Sequence, residues 1–294
     1  MKILVLGAGG MAGHVVATYL RENNYSVDTL SANNKLDEGT VLVDVTDTSE
    51  LKKHLVSSEY EIVINCIGLL VKPSEERKDL AVMLNSYLPH YLEQHYYNTE
   101  TRIIHLSTDC VFSGNKPPYY ENSLPDGTLF YDKSKSLGEI INEKDLTFRM
   151  SIIGPDMSPK GVGLFNWFYA QKGEISGYTR AYWNGITTIE LARGIQAAIE
   201  QRLTGLYHLV PSNGKNISKY ELLNLFRNEF GHNDLKITPS ETLSQDKTLV
   251  NTRLDFDFTV SDYPQMVKEM HEWVSKHTEL YSHYNTGKKG GPSE

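Results

Sequence analysis

Tyr131 and Lys135 stand four residues apart in the stretch Tyr-Asp-Lys-Ser-Lys. On a helix that spacing puts both side chains on one face, about one turn apart. A phenol keeps its proton until a pH of about 10. An ammonium close by favours the phenolate and lowers that pKa, so the pair predicts a tyrosine that exchanges a proton near neutrality. Taken alone, the spacing fits an exposed helix face equally well. Ser107 and Thr108 lie upstream, directly after 103–106, which reads as a strand. A hydroxyl at the carboxyl end of a strand can hydrogen-bond a carbonyl oxygen and polarise it. Tyr131 can then give that oxygen a proton while a nicotinamide gives hydride to the carbon. Thr108, Tyr131 and Lys135 are therefore the candidate catalytic set, with Lys135 also holding the nicotinamide ribose.

The elements that must position this chemistry begin with residues 2–6, a short continuous apolar run of the kind a buried parallel strand requires. Gly7-x-x-Gly10-Met11-x-Gly13 follows, then an apolar-periodic helix through Leu20. Strand, glycine turn and helix in that order predict a dinucleotide site. Gly7 allows the tight turn, Gly10 lets the pyrophosphate approach the backbone, and Gly13 lets the helix lie close to the strand. Residues 27–30 and 41–43 read as the next strands. No acid ends the second one to hold a ribose 2′-hydroxyl; Ser31, Asn33 and Lys35 stand there and suit a 2′-phosphate better. The expected cofactor is NADPH, with NADH the alternative. Asp44, beside Val45, either meets the adenine edge or caps the helix that starts near Ser49. A fourth strand at 62–65 ends in Cys66-Ile67-Gly68, where the glycine permits close approach of a ligand. Asn85, in a helical stretch over 80–97, either faces the cofactor or is a buried helix amide. Strands at 103–106 and 146–150 complete an α/β fold, a Rossmann-like, doubly wound parallel sheet.

After Arg149 the pattern loosens. Residues 163–183, rich in aromatics and carrying Lys172 and Arg180, read as a loop-and-helix lid that brings a basic side chain to a diphosphate. Thr187-x-x-Glu190 and Ser218-x-x-Glu221 read as capping boxes, with another strand at 205–210 between them. These features divide the chain into a dinucleotide-binding domain over 1–150, onto which about 185–210 packs back, and a smaller substrate-binding region over 151–284. The glycine-rich tail 285–294 reads as disordered.

Composition narrows the class. Of the 294 residues, 39% are hydrophobic and 22% charged, which fits a soluble globular protein. The net charge of -8 argues against nucleic acid or an anionic membrane as partner. The apolar start stops at Gly7, too short for a signal peptide, and the stretch 62–71 is interrupted by Asn65 and Gly68 and cannot span a bilayer. Two cysteines, Cys66 and Cys110, form no disulfide framework and fit a reducing cytoplasm; they read as small buried hydrophobes more readily than as a reactive pair.

The order of these motifs resembles the extended short-chain dehydrogenase/reductases, and within them the dTDP-4-dehydrorhamnose reductase (RmlD-like) family. The likeness rests on Gly7-x-x-Gly10-x-x-Gly13, Ser107-Thr108-Asp109, Tyr131-x-x-x-Lys135-x-x-Gly138-Glu139 and Arg149-x-Ser151. It continues through Gly205-Leu-Tyr-His208, Ser218-Lys-Tyr-Glu221 and Asn251-Thr-Arg-Leu254. It implies catalysis by Thr108, Tyr131 and Lys135, with Asp109 beside a substrate sugar. Two departures alter the sugar pocket: Cys110 stands where the family has tyrosine, and Ile152 where a tryptophan often packs. Cys110 also takes the place of the glutamate of the related 4,6-dehydratases. The resemblance implies NADPH-dependent reduction of a dTDP- or UDP-linked 4-keto-6-deoxyhexose in deoxysugar and polysaccharide biosynthesis, by a protein that acts alone or as a homodimer. Two alternatives share the motifs: an NADP-binding regulatory subunit such as the β subunit of methionine adenosyltransferase, and a nucleotide-sugar epimerase.

Overall fold

The structure is a computed structural model that describes residues 1–56 and 59–284; the tail read as disordered lies outside the described residues. Seven parallel strands form the main sheet: β1 (Lys2–Leu6), β2 (Ser26–Ser31), β3 (Val41–Leu42), β4 (Ile62–Asn65), β5 (Arg102–Leu106), β6 (Leu146–Arg149) and, from far downstream, β10 (Gly205–His208). Their order across the sheet is β10-β6-β5-β4-β1-β2-β3. The chain reverses direction at β1, between β2 and β4, which is where an open α/β sheet binds its ligand. Strands β4 and β5 are buried along their whole length, which is why they show no apolar–polar alternation; their buried polar residues Asn65 and His105 lie 3.2 Å apart and hydrogen-bond each other. The helices on the two faces are α1 (Met11–Glu22), α2 (Thr48–Val56), α3 (Val71–Glu76), α4 (Lys78–Ala81), α5 (Leu88–His95), α6 (Phe130–Leu137) and α8 (Thr188–Glu200), with a π-helical turn at Val82–Tyr87 between α4 and α5.

The expected lid over 163–183 is instead a short helix, α7 (Leu164–Tyr169), followed by a ten-residue strand, β8 (Glu174–Trp183). That strand is the centre of a second sheet, between β11 (Ile217–Ser218) and β12 (Lys236–Gln245). Its burial alternates, with Ile175, Gly177, Ala181 and Trp183 inward; the pairing with β12 lies outside any local window and supplies the hydrogen bonds that a lid reading ignored. A third pair, β7 (Ile152–Ile153) with β9 (Ile186–Thr187), joins the two regions. Helices α9 (Lys219–Glu229) and α10 (Tyr263–Lys276) close the fold. One apolar cluster runs without a break from Ile3 and Val15 through Phe165 and Phe226 to Met270 and Tyr281. Ser218 and Glu221 form a complete capping box. Thr187 makes only half of one: it accepts from the Glu190 N–H, but the Glu190 carboxylate goes to the Ser261 N–H and Arg193.

Candidate active site

The glycine turn is shaped by contacts that only glycine permits. Gly7 adopts a φ of +82° and its N–H donates to the Leu30 carbonyl, tying the turn to β2. A Cβ on Gly13 would lie 2.2 Å from the Gly7 oxygen, so α1 could not approach the strand; a Cβ on Gly10 would meet only that same oxygen at 3.4 Å, because its other side is open. His14 completes the turn. Its Nδ1 lies 2.8 Å from the Gly10 carbonyl, which only accepts, so Nδ1 donates; Nε2 then accepts from the Tyr281 hydroxyl at 2.7 Å, which in turn takes the Trp273 indole N–H. Burial pushes the His14 pKa down to about 4, in keeping with a neutral ring. Nothing local in the sequence foretold that the glycine turn would be braced from residue 281.

Beside the turn lies a cavity of about 690 Å³. It gathers Gly7, Gly10, Ser31, Asn33, Asp44, Val45, Cys66, Ile67 and Gly68, nine of the residues expected to hold a cofactor, and adds Thr46 and Arg77. The group fits a dinucleotide: open backbone at Gly10 beside a helix N-terminus for a pyrophosphate, and polar ends of β2 for a ribose. Asp44 accepts from the Thr46 N–H and hydroxyl, which hold its carboxyl below the usual range. The remaining candidates stand elsewhere. Lys35 is exposed and does not line the cavity. Gly13 serves helix packing, and Met11 lies toward Gly163 at the start of α7. Asn85 sits in the π turn with its amide spent internally, accepting from Leu69 N–H and donating to Leu69 O and Ser134 Oγ. The blander of its two readings describes this geometry: a buried amide has to be satisfied, and the loop supplies the partners.

At the end of β5 the side chains alternate between two faces. Ser107 points into the protein, donating to Glu139 at 2.6 Å, while Glu139 receives a bidentate pair from Arg149 at 2.6 and 2.7 Å. Both charged side chains are 3% exposed, and the guanidinium lies over the Phe112 ring. Ser107 is thus part of the buried scaffold and not presented to the cavity. An arginine in the apolar strand 146–150 was the available signal for this pair, since a buried guanidinium needs a carboxylate.

Thr108 faces the other way. Its Oγ1 accepts from the Cys110 N–H and donates to Asp109, and the Tyr131 hydroxyl lies beside it. Tyr131 enters α6 at its first turn, where Glu75 from α3 accepts from both the Phe130 and Tyr131 N–H groups. The expected effect of Lys135 on Tyr131 is not what the geometry produces. The tyrosine pKa is raised, chiefly by burial and then by Cys110, with only Thr108 acting to lower it. Lys135 is turned away: its ammonium donates to the Leu106 carbonyl at 2.7 Å, near Gly68, and burial lowers its own pKa to about 8. Tyr131 therefore keeps its proton at neutral pH and has it to give, but burial makes it a weaker acid than the free phenol, and no group in this geometry brings its pKa toward neutrality.

On the substrate side, Asp109 and Cys110 adjoin this hydroxyl pair, and burial raises both, the thiol to about 12. Cys66, also a free thiol, is likewise pushed to about 12. Ile152 packs against the main core. Lys172 is exposed ahead of β8, and Arg180 pairs with Glu241 on the surface at 2.7 Å, so neither expected base reaches the site; the alternation of β8 turns Arg180 outward. Two other lysines stand near Asp109 instead, Lys219 and Lys247.

Residues 1–249 match the RmlD substrate binding domain. The chain belongs to that family. Among curated proteins it is 32% identical over 161 residues to the probable low-salt glycan biosynthesis reductase Agl14 of Haloferax volcanii, over 52% of this chain and 54% of that one. It is 26% identical over 140 residues to methionine adenosyltransferase 2 subunit beta of Xenopus tropicalis, over 47% of this chain and 41% of that one. The chain thus spans about half the length of the curated relatives it matches. A solved dTDP-4-dehydrorhamnose reductase from Bacillus anthracis in complex with NADP has the same fold, with a TM-score of 0.78 at 20% identity over 92% of this chain and 99% of that one. Among the described residues no helix is long and apolar enough to cross a membrane.

Proposed function

We propose that this member of the RmlD family is an NADPH-dependent reductase of the C4 keto group of a nucleotide-linked 4-keto-6-deoxyhexose, serving the synthesis of deoxysugars for glycans or polysaccharides. The observation that carries the reading is the Thr108–Tyr131 hydroxyl pair at the carboxyl end of β5, in a fold whose glycine-turn cavity fits a dinucleotide. When bound, the nicotinamide supplies hydride to the carbonyl carbon. The protein supplies the rest. Thr108 orients the carbonyl oxygen, and Tyr131, kept protonated by burial, delivers the proton that turns the oxygen into a hydroxyl. Lys135 lies one helical turn further in and holds the ribose side. Residues 1–150 carry the cofactor in this reading and the region 151–284 the sugar nucleotide, apart from the segment returning to the main sheet. The absence of an acid after β2, with Ser31 and Asn33 on the cavity wall, supports NADPH over NADH.

A second reading has support in the likeness to methionine adenosyltransferase 2 subunit beta: a protein that binds the dinucleotide and serves another enzyme. One screen separates the two. NADPH consumption is followed with dTDP- and UDP-linked 4-keto-6-deoxyhexoses, including the 2-acetamido forms. Turnover with any of them removes the purely regulatory reading; no turnover with the whole panel, by protein that binds NADPH, removes the reductase.

A further inference from the structure

A second cleft, of about 470 Å³, opens on the small sheet between Trp167, Tyr178, Leu223 and Leu243. It is apolar, and Lys219 is the only charged side chain among the described residues lining it. Lys219 begins α9, directly after the Ser218 cap. Its ammonium lies 5.3 Å over the Trp183 ring. Among the described residues no side chain or carbonyl hydrogen-bonds or ion-pairs with it, so no protein group takes its three donors. The charged and titratable groups that act on it are Asp109 and Cys110, the two residues that follow Thr108. Asp109 is also countered by Lys247. Lys219 is therefore the side chain that connects the apolar cleft to the catalytic loop.

A nucleotide sugar is a chain of base, ribose, diphosphate and hexose. With the hexose at Thr108 and Tyr131, the diphosphate has to lie between the catalytic loop and whatever holds the base. We infer that Lys219 receives the diphosphate of the nucleotide sugar, with the base in the cleft between Trp167 and Tyr178. This rests on the proposed function and replaces Lys172 and Arg180 in the role first expected of them. The chemistry agrees: a partly shielded ammonium that no protein group accepts from is open to an anion, and lysine binds phosphate as a point charge.

The test is calorimetric titration of the full-length, NADP-loaded protein with UDP and with dTDP, and with uridine and thymidine as phosphate-free controls. Lys219→Met keeps the aliphatic stem on Trp183 and removes the charge; Lys219→Gln repeats the test with a polar end, and Lys219→Arg restores the charge. Lys219→Met and Lys219→Gln should weaken the preferred diphosphate by roughly 10–100-fold, the loss of a charge-assisted contact, while Lys219→Arg stays within a few-fold of wild type. Nucleoside binding, read by tryptophan quenching, should not change in any of the three. Wild-type affinity for the diphosphate in both neutral variants overturns the role of Lys219 and leaves the reductase reading standing. Wild-type protein that binds neither diphosphate overturns both. An equal loss of nucleoside and diphosphate binding would mean that Lys219 only shapes the cleft, and also overturns the inference.

Discussion

The cofactor side and the substrate side of this molecule are built by opposite means. The cofactor cavity comes from the ends of β1, β2 and β4 and the helix after β1, all within the first third of the chain, on strands buried to their full length or nearly so. The side proposed for the substrate draws on Asp109, Trp167, Trp183, Lys219 and Lys247, spread over more than a hundred residues. Its edge strand β12 is exposed along most of its length, and its pairing with β8 shifts register between Ser240 and Ser244. A fully buried parallel sheet tolerates few alternatives, whereas exposed strands and long connections tolerate many. In the proposed reading the reaction chemistry can therefore stay constant while the pocket that selects the sugar changes around it.

The sharpest way to break that comparison is at the proposed proton donor, which belongs to neither side. Tyr131→Phe keeps the ring and removes the hydroxyl; kcat for NADPH oxidation should fall by about 10²–10⁴-fold, with NADPH affinity little changed. Retained activity would shift the proton to water or Asp109. Next in size is the scaffold behind the site. Glu139→Ala strands the buried Arg149 guanidinium and the Ser107 hydroxyl, and a buried pair broken on one side costs about 3–5 kcal/mol. Chemical denaturation should show that loss, and a variant as stable as wild type would mean that water replaces the carboxylate.

A third pair of variants tests whether the two glycines do different jobs. Gly13→Ala should lower the melting temperature, because its Cβ lands on the Gly7 oxygen. Gly10→Ala should fold as wild type but bind NADP weakly, because its Cβ enters only the pyrophosphate space. Equal effects from both on fold and binding would contradict the division.

The smallest expected effect concerns Lys135. Its folded pKa of about 8 lies below the unfolded value of about 10.4, so the unfolded chain binds the proton more tightly. Folding stability then gains with rising pH between those two values, and the cost of burying the charge is present in full below about 8. Lys135→Met should remove that slope from the wild-type curve and leave the melting temperature at pH 7 unchanged or raised, while turnover falls. A large loss of stability at pH 7 would show that the bond to the Leu106 carbonyl outweighs the burial of charge.

Much of the cofactor side was legible because its signals are local. The glycine spacing at 7, 10 and 13, the apolar starts of β1 and β4, and the four-residue step from Tyr131 to Lys135 are all signals that a short window contains. Local signals failed where a side chain had a choice of faces or partners. Ser107 and Thr108 are adjacent, yet one joins the Glu139–Arg149 pair and the other the tyrosine. Lys135 lies on the predicted face but bonds a strand carbonyl, and Asn85 is consumed by its own loop.

Sequence by itself determined the doubly wound sheet, the family and the residue types available for hydride and proton transfer. These depend on hydrophobic periodicity and on backbone freedom that only glycine has. The tertiary structure alone decided which cation faces the site: Arg180 is spent on Glu241 at the surface, while Lys219, a lysine in the first turn of a helix that any sequence reading would leave in water, lies over Trp183 beside Asp109. A charge takes its role from the groups that surround it and from the water it loses, and both are set by contacts between distant parts of the chain.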